Sequence, residues 1–152
     1  MPPPTRMPIG LRLSRTARST SRAFDAALTA AGGSLPVWLV LISLKSRPTA
    51  NQRQIADVVG IRGATLTHHL NGMERDGLIV RRLDPNNRRM HVVELTEAGE
   101  QTFRRLRAAA TDFDRRLRSG LNEADLATLE RLLTQLDENV QDASDKGSHT
   151  DD

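Results

Sequence analysis

The sequence predicts a mainly α-helical protein with one small β-hairpin. Through most of the chain, apolar residues recur at spacings of three and four, as they do on the buried face of a helix. Two other runs, residues 78–83 and 90–95, are typical of strands. The turn cluster Asp84-Pro85-Asn86-Asn87-Arg88-Arg89 separates them. We therefore expect four helices, the hairpin, and two further helices.

Glycine and serine set the boundaries of the first two helices. The first spans about residues 11–31 and ends at Gly32-Gly33, since glycine accepts the left-handed conformation that closes helices. Ser34 is a suitable N-cap for the second helix. Residues 38–44 are apolar on nearly every side of that helix, which predicts a central place in the core.

The third and fourth helices are short, and Gly60 separates them. They span about residues 51–59 and 63–76. Their inward residues are expected to be Ile55, Val58 and Val59 on the third helix and Leu66, Leu70 and Met73 on the fourth. With the small residue Ala56 where the two helices cross, this spacing fits a helix-turn-helix. Because the hairpin follows directly, the predicted fold is a winged helix-turn-helix.

The last two helices are long. Thr96 is placed to cap one that reaches about Ser119, and Asn122 to cap another beyond the break at Gly120. Both helices carry apolar residues in a repeating 3-4-3-4 spacing. Together with the first helix they present apolar stripes that a single thin domain could not cover, so a second copy of the chain is expected to bury them.

Composition excludes several classes of protein. The 152 residues fit one domain, or one domain with an extension. The absence of cysteine excludes disulfides, thiolate metal sites and a thiol switch. No apolar run is long enough to cross a bilayer, and the N-terminus lacks a secretory apolar region. We expect a cytoplasmic protein.

Charge is unevenly distributed along the chain. Residues 1–45 carry six Lys/Arg against one acidic residue, residues 46–90 carry eight against four, and residues 91–152 carry eight against fourteen, for a net charge of +3. The positive excess therefore covers the predicted helix-turn-helix and everything before it. This asymmetry favours a polyanion-binding face, although a solvated surface with an accidental bias would give the same counts.

The outward face of the fourth helix is polar. In a helix-turn-helix this helix enters the major groove of DNA, where hydroxyl, amide and guanidinium groups contact bases and phosphates. Arginines of the wing could enter a neighbouring minor groove. The candidate DNA-binding residues are Arg62, Thr65, Thr67, His68, Asn71, Arg75, Arg88 and Arg89. The alternative for each of them is an ordinary solvated position.

The paired histidines do not have the spacing of a metal site. Adjacent helical residues point about 100° apart, so His68 and His69 cannot supply the one-face pair of an HExxH motif. His91 and His149 lie elsewhere in the sequence. There is also no nucleophile–base constellation and no phosphate-binding glycine loop, so we expect neither a cofactor nor an enzyme. His68 is expected to face DNA and His69 to lie partly inward.

Several segments give the chain a resemblance to the MarR family of winged-helix transcriptional regulators. The resemblance covers about residues 11–141. The segments that carry it are SLPVWLVL (34–41), QIADVVGI (54–61), TLT (65–67), LNGMERDGLI (70–79), DPNNRR (84–89) and VELTEAG (93–99). One departure is Asn87, which stands where the family commonly has an aspartate that pairs with a wing arginine.

The sequence and the resemblance together predict how the chain is organised. From their composition, residues 1–10 are expected to be a disordered lead-in and residues 142–152 a disordered acidic tail, on either side of one winged helix-turn-helix domain over residues 11–141. Within the domain, residues 11–33 and 97–141 would form the dimerisation helices, and residues 34–96 the DNA-binding part. A homodimer of this kind reads a palindromic operator, usually as a repressor.

The resemblance also implies release by a small effector, often an aromatic or phenolic acid. Arg15 and Arg18 fall where some members of the family place cationic ligand contacts, and Leu35 and Trp38 could supply an apolar wall. The alternative for the arginines is a solvated basic face or contacts with phosphate. For the whole protein, the alternative is a dimeric winged-helix module for protein interaction or DNA architecture, without effector control.

Overall fold

The structure, a computed structural model, describes residues 6–147. Its helices and strands are α1 (Ile9–Ala30), α2 (Leu35–Ser46), β1 (Ala50–Asn51), α3 (Gln52–Val59), α4 (Gly63–Arg75), β2 (Ile79–Asp84), β3 (Asn87–Leu95), α5 (Glu97–Leu117) and α6 (Glu123–Gly147). The predicted class, mainly helical with a small β wing, is confirmed. Residues 1–5 of the predicted lead-in and 148–152 of the predicted tail lie outside the described residues. The last helix continues past residue 142, where the tail was expected to begin.

The chain divides into two compact units at Phe113, within α5. The first unit contains the helix-turn-helix and the sheet, and the second contains the end of α5 and α6. The core of the first unit is aliphatic around one tryptophan. Its largest fully buried side chains are Leu28, Leu41, Leu44, Ile55, Leu66, Leu70, Met73, Ile79, Leu106, Val40 and Val93.

The second helix lies centrally, as its composition predicts. Five of its residues are buried, including Trp38, whose ring stacks on Phe103 with 5.5 Å between centroids. The Ser34 hydroxyl accepts the first free amide proton of α2, from Val37 at 3.4 Å. Among the described residues no single helix is long and apolar enough to cross a bilayer, although α1 and α2 pass by length and composition as a pair bent by 79°.

The turn between α3 and α4 depends on two glycines. Gly60 closes α3 at φ +72° and donates its amide proton to the Ala56 carbonyl at 2.9 Å. Gly63 opens α4 at φ +62°, and a side chain at either position would be strained. The start of α3 is also fixed, because Asn51 and Gln54 exchange side chain and backbone hydrogen bonds of 2.9 and 3.0 Å.

The expected inward face of α3 is wrong at one position. Ile55 is fully buried, and Val59 is half-buried, but Val58 is 65% exposed. Val58 and Val59 lie on opposite sides of Ile55 around the helix axis. In the structure α3 is rotated so that the side with Ala56 and Val59 packs against the core, which leaves Val58 in solvent.

The sheet has three strands in the order β1-β3-β2, all antiparallel. The sequence did not predict β1, which has only two residues and pairs Ala50 with Val93. The hairpin also differs from the prediction, because β3 begins at Asn87 rather than at Met90. Leu83 pairs with His91, but the next residue, Asp84, pairs with Asn87, so the register of the two strands shifts at this point. Residues 88–90 therefore lie in an irregular part of β3 rather than in the turn.

The beginning of α5 is docked against the loop between α4 and β2. The Thr96 hydroxyl caps α5 by accepting the Gly99 amide proton at 3.0 Å, and it donates its own proton to the Gly77 carbonyl. A β-carbon on Gly99 would overlap the Leu78 carbonyl oxygen, so only glycine permits this approach. In the second unit, Asn122 caps α6 by accepting from the Asp125 amide at 2.8 Å, as predicted.

A side-chain hydrogen bond joins the two helices of the helix-turn-helix. Gln52, at the start of α3, donates from Nε2 to the Thr67 hydroxyl at 2.7 Å. The hydroxyl donates in turn to the Gly63 carbonyl, 3.2 Å away on the preceding turn of α4. Both side chains are partly buried. The pair therefore fixes the first half of α4 against α3.

We expect Thr67→Val to destabilise the protein by about 1 kcal/mol, because it keeps the shape of the side chain but leaves the Gln52 amide without its partner. The free energy of unfolding in urea measures this. Thr65→Val is the matched control, since Thr65 is exposed on the same helix, and it should change stability by less than about 0.5 kcal/mol. Equal stability of the two variants would show that the Gln52–Thr67 bond has no net effect.

Candidate nucleic-acid interface

The fourth helix has one buried face and one exposed polar face. Leu66 and Leu70 are fully buried, and Met73 is 2% exposed, so these three side chains fix the rotation of α4 about its axis. On α4 and its N-cap, five of the six predicted DNA-binding residues are exposed, namely Arg62, Thr65, His68, Asn71 and Arg75. The structure therefore brings these residues together along one accessible surface, the outward face of α4.

Thr67 differs from the other predicted residues. It is half-buried, and its only hydroxyl proton is directed to the Gly63 carbonyl. The oxygen accepts from Gln52 as well. The hydroxyl thus already has partners within the protein, which leaves it less free to contact a base than the exposed Thr65.

The second half of α4 is linked to the wing through Arg81. This arginine lies in β2, and its Nη2 donates to Oδ1 of Asn71. Its Nε lies 3.4 Å from the Glu74 carboxylate, three residues further along α4. The buried Nε has no hydrogen bond within the described structure, so its contact with Glu74 is electrostatic. The guanidinium therefore lies across two side chains of α4.

The paired histidines have the orientation that the sequence predicts. His68 is exposed, His69 is half-buried, and their rings meet edge to face with 5.7 Å between centroids. Among residues 6–147, no group of three or more His, Asp or Glu side chains could hold a metal ion. His149 lies outside the described residues.

Two short side chains organise the tip of the wing. Asp84 accepts the Asn86 amide proton at 2.9 Å, and Asn87 accepts the Arg89 amide proton at 3.2 Å. Arg88 and Arg89 are exposed on β3 just beyond the turn. The side-chain oxygen of Asn87 is thus used to hold the backbone that carries these arginines.

Of the four predicted effector residues, Arg15 and Arg18 line one depression of the described structure, and Leu35 and Trp38 do not. Arg15 and Arg18 line an open depression of about 510 Å³ with Thr16, Ser19 and Arg22, all from α1. Trp38 is only 8% exposed and belongs to the core, and Leu35 is half-buried at the start of α2. The depression that Arg15 and Arg18 line therefore contains neither of the two apolar residues.

Gln52 and Arg81 are absent from the predicted set, although both fix the position of α4. Arg81 could have been recognised, because it lies two residues after the buried Ile79 and so projects from the same face of β2. An arginine on that face needs a polar partner. Gln52 gives no such signal, since a glutamine in the first turn of a helix is usually solvated.

Comparisons with known proteins agree with this geometry. Residues 34–91, which contain the helix-turn-helix and most of the hairpin, match the model of the MarR family. In sequence, the chain is 27% identical over 129 residues to the "Putative transcriptional regulatory protein for hcr operon" of Thauera aromatica. That alignment covers 84% of this chain and 78% of the relative.

Solved structures share the fold over most of their length. The transcriptional repressor CouR, bound to a 23-mer DNA duplex, is 28% identical, with a TM-score of 0.76 over 85% of this chain and 92% of its own. BpsR of Bordetella bronchiseptica, whose DNA binding is regulated by 6-hydroxynicotinic acid, is 20% identical, with a TM-score of 0.77 over 90% and 98%. At that identity the likeness to BpsR shows the fold alone.

The exposed polar face of α4, the arginine-bearing wing beside it and these relatives all lead to one assignment. Residues 34–91 carry the winged-helix domain of the MarR family, and over most of its length the chain is similar to DNA-binding transcriptional regulators.

Proposed function

We propose that this protein is a cytoplasmic repressor that binds a palindromic operator as a homodimer and is released from it by a small aromatic or anionic effector. The observation that carries the proposal is the division of α4 into a buried face and an accessible polar face. A helix that is anchored in the core by Leu66, Leu70 and Met73 can enter a major groove without rearrangement of the protein.

The exposed residues divide into two chemical groups. Thr65, His68 and Asn71 carry hydroxyl, imidazole and amide groups and lie along α4, where they would reach base edges. Charged side chains, Arg62 before α4 and Arg75 at its end, would contact phosphates. Arg88 and Arg89 would enter a neighbouring minor groove. Thr67 would support the position of α4 rather than read a base.

A second copy of the chain would cover apolar surface that one copy leaves exposed. None of the described side chains of α6 is buried, and Leu129, Leu132 and Leu133 are 45, 46 and 38% exposed. In α1, Ile9, Leu11 and Leu13 are also exposed. Contiguous apolar stripes of this length are rarely left in water. A two-fold dimer would bury them and would present two copies of α4 to the two halves of a palindrome.

The effector would bind near the basic residues of α1. Arg15 and Arg18 provide two cationic side chains beside an open depression, a suitable environment for a carboxylate. A small aromatic acid would place its carboxylate against these cations, and its ring would then need an apolar wall. Because Leu35 and Trp38 do not line this depression, the apolar wall for the aromatic ring would come from the second copy or from a small rearrangement of α2.

The test of operator binding is selection of duplexes from a random library, followed by affinity measurements on the selected sequence. We expect Arg89→Ala to weaken binding at least about tenfold, because each half-site loses a groove contact. Binding should also depend less on salt. The slope of log affinity against log salt concentration should decrease in magnitude by about one for each protomer. Electrophoretic mobility shift and fluorescence anisotropy across a salt series measure both quantities.

Arg104→Ala is the matched control for Arg89→Ala. It removes the same charge from an exposed position on α5, outside the candidate interface. Its affinity for the selected duplex should stay within about twofold of the unaltered protein. If the unaltered protein bound scrambled and selected duplexes equally, the repressor proposal would fail and an architectural module would be favoured instead.

The dimer has its own test. We expect Leu129→Glu to produce a monomer that has lost most of its operator affinity, because a charge in the centre of the apolar stripe of α6 opposes its burial. Light scattering after size-exclusion chromatography measures the mass. The control is Ala127→Glu on the other side of α6, which should remain a dimer. A monomeric mass for the unaltered protein at micromolar concentration would contradict this part of the proposal.

The effector can be tested without knowledge of the regulated genes. We expect one member of a panel of benzoate, hydroxybenzoates and hydroxynicotinates to raise the melting temperature by mass action and to release the selected duplex. The double variant Arg15→Gln/Arg18→Gln should lose this rise, while Arg107→Gln should retain it, since Arg107 is an exposed arginine of α5. No rise with any acid would remove aromatic acids as the effector class and would leave the DNA-binding part intact.

A further inference from the structure

Arg81 determines which way the amide of Asn71 points. A guanidinium has only hydrogen-bond donors, so the atom of Asn71 that contacts Nη2 of Arg81 must be the amide oxygen. The orientation of this amide, often ambiguous in a structure, is here decided by the chemistry of its partner. The NH2 group of Asn71 then points away from the wing.

The contact is part of a fixed arrangement. The Arg81 side chain is only 22% exposed, and Glu74 draws its Nε towards α4 at 3.4 Å. Asn71 and Glu74 are three residues apart, so they lie on one side of α4 and hold the guanidinium between them. The neighbouring Arg82 contrasts with this, since its side chain is 68% exposed and pairs with Glu94 on the adjacent strand.

Asn71 lies on the outward face of α4 with its NH2 group free of any described hydrogen-bond partner. An asparagine reads adenine by donating to N7 and accepting from the N6 amine at the same time. Here the amide oxygen accepts from Arg81, which holds it turned towards the wing and leaves the NH2 group as the part of the amide that faces the groove. Guanine presents only acceptors in the major groove, at N7 and O6, and thymine presents the acceptor O4, so both suit a side chain whose donors face the groove.

We infer that Arg81 is a positioning residue that sets base preference without contact with DNA. It turns Asn71 into a donor, so that each half-site favours guanine or thymine over adenine at the base that Asn71 meets. This inference rests on the proposed function, in which α4 enters the major groove. It adds a specificity-determining role for a residue of the wing strand.

The experiment is selection of duplexes from a random library by four forms of the full-length protein: unaltered, Arg81→Met, Arg82→Met and Asn71→Asp. For the unaltered protein we expect one position in each half-site to disfavour adenine by about tenfold relative to guanine or thymine. In Arg81→Met the freed oxygen of Asn71 can accept from adenine, so the discrimination should fall to about twofold. Arg82→Met loses the same charge from the same strand and should keep the tenfold preference.

Asn71→Asp tests the same idea at an exposed position, where folding is not at risk. Arg81 would hold one carboxylate oxygen, and the other would face the groove as an acceptor. The preferred base at the same position should then change to cytosine or adenine, which present an amine. Circular dichroism and thermal unfolding establish that each variant is folded before selection.

Two negative results have different meanings. If the unaltered protein enriched no sequence, the proposed function itself would fail. If it enriched an operator, but Arg81→Met and Asn71→Asp selected the same bases as the unaltered protein, then Asn71 would contact phosphate only and this inference alone would be overturned.

Discussion

The burial of one face of α4 is the constraint on which the rest of the molecule depends. Leu66, Leu70 and Met73 are spaced by four and three residues, so they lie in one row and enter the core together. A rotation of the helix by one residue would expose part of that row and bury polar groups without partners. Each such group costs about 1–3 kcal/mol, so the outward face is as firmly determined as the inward one.

Hydrophobic burial fixes the rotation of α4, but it leaves the helix free to slide and tilt by small amounts. The polar contacts at its two halves restrict these motions. Gln52 and Thr67 join the first half to α3, and Arg81 joins the second half to the wing through Asn71 and Glu74. Reading base edges requires side chains to be held within about 0.5 Å, which packing by aliphatic residues alone does not guarantee.

The sequence predicted the features that depend on local physics. Caps at Ser34, Thr96 and Asn122, and the turn glycine Gly60, occur where their chemistry places them.

Features that depend on tertiary contacts escaped prediction. The inward face of α3 was wrong at Val58 because an eight-residue helix offers too few turns to separate two overlapping apolar faces. Two residues of β1 carry no alternation, so only their pairing with β3 reveals the strand. The core position of Trp38 followed from the composition of α2, but its stacking on Phe103 of α5 did not. The roles of the candidate DNA-binding and effector residues stay predictions.

The structure also changes the meaning of the charge asymmetry in the sequence. Of the arginines in residues 46–90, Arg81 and Arg82 lie beside carboxylates at 3.4 Å, so they add little net positive charge to the outward face. Among the described residues, the arginines with no such neighbour include Arg62 at one end of α4 and Arg88 and Arg89 on the wing. Positive charge is therefore concentrated at the margins, whereas the middle of α4 offers hydroxyl, imidazole and amide groups. In a DNA groove the bases lie in the middle and the phosphates lie along both edges. Arginines at the margins would therefore lie close to phosphates and contribute affinity, whereas the groups in the middle of α4 would contact bases and contribute sequence preference.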